Sequence, residues 1–214
     1  WFDLDAPLGE LNQKYTYAQA CRFVVENLAT VIPKMADFCD GAFQKRWVEA
    51  EDRPGKRAGA FCSGFPVSRE SRVFMTFAGS PRNILPLAHE MGHAYHHHVL
   101  FDLPFLAQRY AMNVAETAST FAEMAVADAA VEKAATREEK IALLDGKVRS
   151  SVSFFMDIHA RFLFETAFYE RRRRGPVGVD ELNRLMIEAQ QKAYRNSLDN
   201  YHAHFWCSKL HFYL

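Results

Sequence analysis

His89 and His93 stand four residues apart with Glu90 between them, in the run Leu87-Ala88-His89-Glu90-Met91-Gly92-His93-Ala94. Two imidazoles at that spacing converge on one point when the run is an α-helix, where residues i and i+4 share a face. The surrounding residues agree. Ile84, Leu85, Leu87, Ala88, Met91, Ala94 and Val99 make the stretch largely apolar, which predicts a mostly buried helix. A buried His-Glu-His group needs polar partners, and a metal ion can supply them. Neutral imidazole is a good ligand for Zn²⁺. Glu90, one residue after His89, faces the side of such an ion, where its carboxylate can take the proton of an attacking water. Chance is a poor explanation: with His at 9 of 214 residues, an accidental HExxH is expected about 0.02 times.

A zinc ion that does chemistry usually has three protein ligands and one open position. A second helix is predicted over about Gln108 to Val131, joined to the first by a short connector broken at Pro104, so the two should pack antiparallel. Counted from the connector's centre at Leu103, Met91 lies 12 residues back and Glu116 lies 13 forward, level with the two histidines. Glu123, seven residues further on, is displaced by roughly 10 Å along the axis. Both carboxylates cannot bind one ion. Glu116 is therefore the expected third ligand and Glu123 an outer carboxylate. Ser119 and Thr120, one turn beyond Glu116, either hold its carboxylate or a histidine ring, or serve ordinary helix packing. His96 and His97 stay open between extra ligands, substrate contacts and a polar helix end that suits the dipole.

The rest of the chain reads as mainly helical. One helix is predicted from Thr16, its cap, to Gly41, its stop, with a kink at Pro33. A polar turn over residues 51–59 precedes two β-rich runs, Ala60 to Phe65 and Arg72 to Phe77, which form a hairpin with a long loop. The helix bearing the histidines spans about Arg82 to Leu100, with Ser80 or Asn83 as cap. A long helix starts at Thr136, with Glu139 completing a capping box, and runs to Arg171-Arg172-Arg173-Arg174 before Gly175-Pro176. Asp180 is expected to cap a last helix reaching about Arg195.

Lys plus Arg and Asp plus Glu both number 26, so the formal charge is zero. That argues against a whole-chain grip on nucleic acid. The arginine run more simply complements a helix C-terminus. No apolar run approaches the roughly 20 residues that a bilayer requires, and no signal peptide is visible. Cys21, Cys39, Cys62 and Cys207 form no CxxC pair, so free thiols in a reducing cytoplasm are expected. Trp1 at the start and Leu210-His211-Phe212-Tyr213-Leu214 at the end read as cuts in a longer protein.

A resemblance then comes into view. Val114-Ala115-Glu116-Thr117-Ala118-Ser119-Thr120-Phe121, taken with Leu87 to Ala94, resembles the oligoendopeptidase F group of thimet-oligopeptidase-like zinc metallopeptidases. Trp1 to Leu8 is similar to the start of that family's catalytic region. Arg53-Pro54-Gly55-Lys56-Arg57-Ala58-Gly59-Ala60-Phe61-Cys62 resembles the family's approach to an edge strand, and His211-Phe212-Tyr213 the start of a downstream His/Tyr segment.

The resemblance implies a mainly α, multi-helix zincin-type catalytic core with a small β-sheet, spanning residues 1–214 as part of a larger enzyme with a deep channel for short peptides. It implies one Zn²⁺ per chain, held by His89, His93 and Glu116, with Glu90 as general base. It implies that Gly59, Ala60 and Phe61 pair with the substrate backbone, and that His211 and Tyr213 belong to the residues that stabilise the oxyanion. The activity so implied is zinc-dependent endopeptidase cleavage of short oligopeptides. An exopeptidase of the same class or a non-catalytic metal-binding scaffold are the alternatives. Neither nucleic acid nor membrane is an expected partner.

Overall fold

A computed structural model of the chain describes residues 14–57 and 59–209. The first helix, α1 (Tyr17–Val31), starts where a reciprocal cap satisfies its free amides. Thr16 Oγ1 accepts from the Gln19 amide at 3.2 Å, and Gln19 Oε1 accepts from the Thr16 amide at 2.8 Å. The kink expected at Pro33 is a full break. Ile32 is extended (φ −135°, ψ 85°), as a residue before proline prefers, and Pro33 opens α2 (Pro33–Gln44) at its first position, where the missing N–H costs nothing. Gly41 is not a stop. It lies inside α2, whose Met35, Ala36, Cys39 and Ala42 are buried, and that packing outweighs one glycine. The chain turns instead at Arg46, in the left-handed region.

The expected hairpin is present with a tighter turn. β2 (Ala60–Phe65) runs antiparallel to β3 (Glu70–Met75), in register from Ala60↔Met75 to Phe65↔Glu70, with Arg69 at φ 55° closing the turn. The second strand therefore starts two residues earlier than its apolar pattern suggested, because turn geometry sets register. A two-residue strand, β1 (Val48–Glu49), pairs in parallel with β3, and is too short to leave a readable period. Strand order is β1-β3-β2, so β2 is an edge, unpaired on its outer side among the described residues.

The polar loop before β2 is organised around one lysine. The Lys56 side chain is only 1% exposed. Its Nζ donates to the main-chain oxygens of Glu51 and Met75, both at 2.6 Å, and lies 2.8 Å from the Glu49 carboxylate. Removing the ammonium strands those acceptors. Lys56→Met is expected to cost about 2–3 kcal/mol, with Glu49's partial exposure keeping it from the higher end of buried pairs. Urea denaturation measures this, and an unchanged midpoint would remove Lys56 as the lock on this loop.

α3 (Ile84–Leu100) follows a 3₁₀ turn, Pro81–Asn83, capped by Ser80. It is the central element of its unit, packed on α1, α2, β2 and β3 and on α4 (Thr117–Lys133). Leu28, Met35, Met75, Leu87, Met91 and Val126 form the core around it, each at most 1% exposed. The connection to α4 differs from expectation. No helix starts at Gln108. Two 3₁₀ turns, Phe105–Gln108 and Met112–Val114, carry the chain to Thr117. Leu106, Met112 and Val114 are exposed, so their helical spacing has no core to bury against.

A second compact unit holds the described residues from Leu144 onward. The long helix expected from Thr136 is α5 (Arg137–Val152), a π-helical turn (Ser153–Asp157) and α6 (Ile158–Arg172). Thr136 caps the helix as expected, its Oγ1 accepting from the Glu139 amide, but the box is shifted: Glu139 Oε2 accepts from the Ala135 amide, one residue before the cap. α7 (Val179–Ala193) is preceded by Gly178 rather than capped by Asp180, which sits in its first turn and complements the dipole there. Phe164, Leu185, Met186 and Ala189 form a core of this unit. Among the described residues no helix is long and apolar enough to cross a membrane.

Candidate metal centre

His89, Glu90 and His93 lie on one face of α3 where it meets the start of α4. Glu116 is the residue just before α4, with φ −89° and ψ 0°. Its Oε2 is 3.1 Å from His89 Nε2 and 3.1 Å from His93 Nε2. The two rings stand nearly perpendicular, 4.9 Å apart. One ligand atom from each of the three residues lies within 4.8 Å of the others. Tetrahedral zinc with bonds of about 2.0–2.1 Å requires donors about 3.3 Å apart, so this set fits one divalent ion.

The supporting contacts are specific. Ser119, fully buried, donates from Oγ to Glu116 Oε2 at 2.8 Å. Thr120 Oγ1 goes instead to the Glu116 main-chain oxygen at 2.6 Å. Glu123 Oε2 sits 3.0 Å from His89 Nδ1. With the proton on Nδ1 donated to Glu123, the Nε2 lone pair is left facing Glu116 and the ion's place. The same hydrogen bond is the main reason the His89 pKa is raised, against the opposing effect of burial. At His93 burial dominates and lowers the pKa, which favours the neutral, ligating form.

Glu90 is 6% exposed, and its Oε2 has no hydrogen-bond partner. Burial pushes its carboxyl up to about 7, with His89 opposing and Glu116 reinforcing the shift. An orphaned carboxylate oxygen beside two imidazoles and a second acid is the arrangement a cation would satisfy. A cleft of about 400 Å³ borders the group, and its lining includes Ala60, Phe61, Glu90 and Tyr110. Gly59 precedes that strand at φ 120°, a conformation glycine tolerates.

His96 and His97 are not in the cluster. His96 stacks on Tyr110 at 4.5 Å between ring centroids, and its buried Nδ1 has no partner. His97 turns toward the hairpin, 3.3 Å from Ser71 Oγ. His211 and Tyr213 lie outside the described residues, as do Trp1 to Leu8. Sequence spacing gives no sign of Tyr110 in the cleft, because it falls within the stretch predicted as helix, nor of Ser71, whose isolated hydroxyl carries no pattern.

A sequence model of peptidase family M3 matches residues 25–214. The chromosomal oligoendopeptidase F of Lactococcus lactis subsp. cremoris is 29% identical over 218 residues, covering 99% of this chain and 36% of its own length. The group B oligopeptidase PepB of Streptococcus agalactiae is 26% identical, with the same coverage of 99% and 36%. The chain thus spans about a third of the length of these curated relatives. A crystal structure from Chlamydophila abortus, assigned as a peptidase, superposes with a TM-score of 0.79 at 25% identity, over 100% of this chain and 36% of that one. A structure assigned as oligoendopeptidase F shares the fold, with a TM-score of 0.60 at 17% identity over 90% of this chain and 33% of that one. The family match takes in the metal-ligand candidates, the hairpin and most of both compact units, and the chain belongs to peptidase family M3.

Proposed function

We propose that this chain is the catalytic part of a zinc-dependent endopeptidase that hydrolyses internal bonds of short peptides. The observation that carries the reading is the buried carboxylate of Glu90, its Oε2 without a hydrogen-bond partner, beside the His89, His93 and Glu116 donors, on a cleft lined by an edge strand. His89 and His93 through Nε2, and Glu116 through Oε2, would hold the ion. Bound zinc supplies Lewis acidity toward a carbonyl oxygen and toward water.

The chain's own residues do the rest. Glu123 keeps the proton on His89 Nδ1, and Ser119 holds the Glu116 carboxylate in place. Glu90 accepts the proton of the attacking water and passes it to the leaving nitrogen, as a general base and then acid. The free edge of β2 over Gly59, Ala60 and Phe61 pairs with an extended peptide main chain. His211 and Tyr213 would donate to the oxyanion. A cytoplasmic setting accords with the free thiols of Cys21, Cys39, Cys62 and Cys207.

The test pairs elemental analysis with cleavage of an internally quenched peptide by the protein carrying this chain. Chelation should abolish cleavage and zinc should restore it. Glu116→Ala removes a ligand and is expected to weaken metal affinity by about 100-fold or more, beyond the usual cost of losing an outer contact. Cleavage that persists without metal would overturn the zinc reading. Loss of zinc in Glu123→Ala but not in Glu116→Ala would overturn the ligand set.

A further inference from the structure

His89, His93 and His97 recur every fourth residue on α3, so they form one stripe. The first two face Glu116. The third does something else. The Cys62↔Val73 and Gly64↔Ser71 pairs of the β2–β3 ladder share one face, while Phe61 stacks on its partner Phe74 on the other, at 5.1 Å and 18°. His97 meets the first face. Its Nδ1 is 3.3 Å from Ser71 Oγ and 4.0 Å from Cys62 Sγ. Ser71 is 1% exposed. On the neighbouring strand, a Cβ added at Gly64 would sit 3.0 Å from His97 Nδ1, 3.2 Å from Cγ and 3.3 Å from Cε1. The ring therefore lies against bare backbone at Gly64 while hydrogen-bonding the residue paired with it.

We propose that His97 is a positioning residue that sets the height of the edge strand β2 over the metal-binding face of α3, through the Ser71 hydroxyl and the space left at Gly64. The consequence is geometric. Ala60 and Phe61 line the same cleft as His89, Glu90 and His93. A peptide paired to β2 meets the ion at a distance fixed by how far that strand stands from α3. A shift of β2 weakens the main-chain pairing of a peptide that must also reach the ion, and so weakens its binding. Nδ1 and the Ser71 hydroxyl lie within hydrogen-bond distance, and the ring's tautomer sets which of them donates. The effect on catalysis rests on the proposed peptidase function; the effect on the strand does not.

The experiment compares the parent protein with His97→Ala and His97→Asn, whose amide oxygen can take the place of Nδ1 toward Ser71. Three quantities are read: hydrogen exchange of amides 60–65, zinc content, and kcat and KM on a quenched peptide. His97→Ala should speed exchange in β2 and raise KM about tenfold, the scale of one lost buried hydrogen bond, with kcat and zinc content near parent values. His97→Asn should recover most of both effects. Unchanged exchange with unchanged KM would overturn the proposal, and so would loss of zinc in step with KM, which would make His97 a support of the metal. If the zinc-loaded parent cleaves no peptide, the peptidase reading fails, and exchange in β2 still decides whether His97 positions the strand.

Discussion

Glu90→Gln should leave zinc bound at parent levels and lower peptide turnover by roughly 10²- to 10⁴-fold, the range of a lost general base. The substitution keeps the shape and removes the proton acceptor. Because Glu90 is not among the atoms that converge on the ion's place, metal affinity has no reason to fall. Metal content and rate on the same preparation check this, and zinc lost together with activity would count against the assignment. A second signature concerns the metal-free chain. The Glu90 carboxyl, raised from 4.5 to about 7 mainly by burial, binds its proton more tightly folded than unfolded. Its stabilising contribution is fully present below pH 4.5 and is lost as pH rises through about 7. Glu90→Gln removes that loss, so in chelator the variant should gain about 2 kcal/mol on its parent between pH 5 and pH 8. Urea midpoints at the two pH values measure it. Parallel pH dependences would show that Glu90 is not the titrating group.

Gly92→Ala is the second large effect. In an exposed helix this change stabilises by up to about 1 kcal/mol. Here the new Cβ would lie 2.5 Å from Ser119 Cα and 2.7 Å from the Ala118 oxygen, both main-chain atoms of α4. Backbone cannot rotate aside, so α3 and α4 must separate. Overpacking costs of 1–3 kcal/mol and more then apply, and about 3 kcal/mol is expected. Separation also carries Glu116 and Ser119 away from the histidines, so zinc content should fall with the melting temperature. A variant that melts like its parent would mean the two helices are less tightly apposed than this contact implies.

The reasons for success and failure at the level of sequence are local. The β2 run was legible to the residue, because its β-rich stretch ends at Phe65 against Pro66 and a turn. The helix of His89 and His93 was legible from spacing and apolar neighbours together. Glu116 was placed level with them by counting residues through a helix that does not exist before Thr117. Glu116 nonetheless lies beside both histidines, reached through two 3₁₀ turns that no periodicity reports. The π-helical turn at Ser153–Asp157 left no signal, since its residues continue the apolar stripe. Gly41 misled because tertiary burial of its neighbours overrides propensity. Lys56 misled in the other direction: a charge in a polar loop gives no hint that four main-chain and side-chain oxygens will enclose it.

Glu116 belongs to the end of the connector, while both histidines belong to a helix packed against α1, α2, β2, β3 and α4. Its side chain is 62% exposed, against 24% and 17% for His89 and His93. An ion shared by these residues would join two parts of the chain that differ in freedom. It would close the covalent loop between His93 and Glu116 much as a cross-link does, withdrawing loop entropy from the unfolded ensemble. Leu106 and Met112, at 75% and 88% exposure, lie inside that loop with little packing of their own. A metal bound there would add a tether to the connector beyond its own 3₁₀ turns and the His96–Tyr110 stack, and its local unfolding would then be thermodynamically linked to free metal concentration.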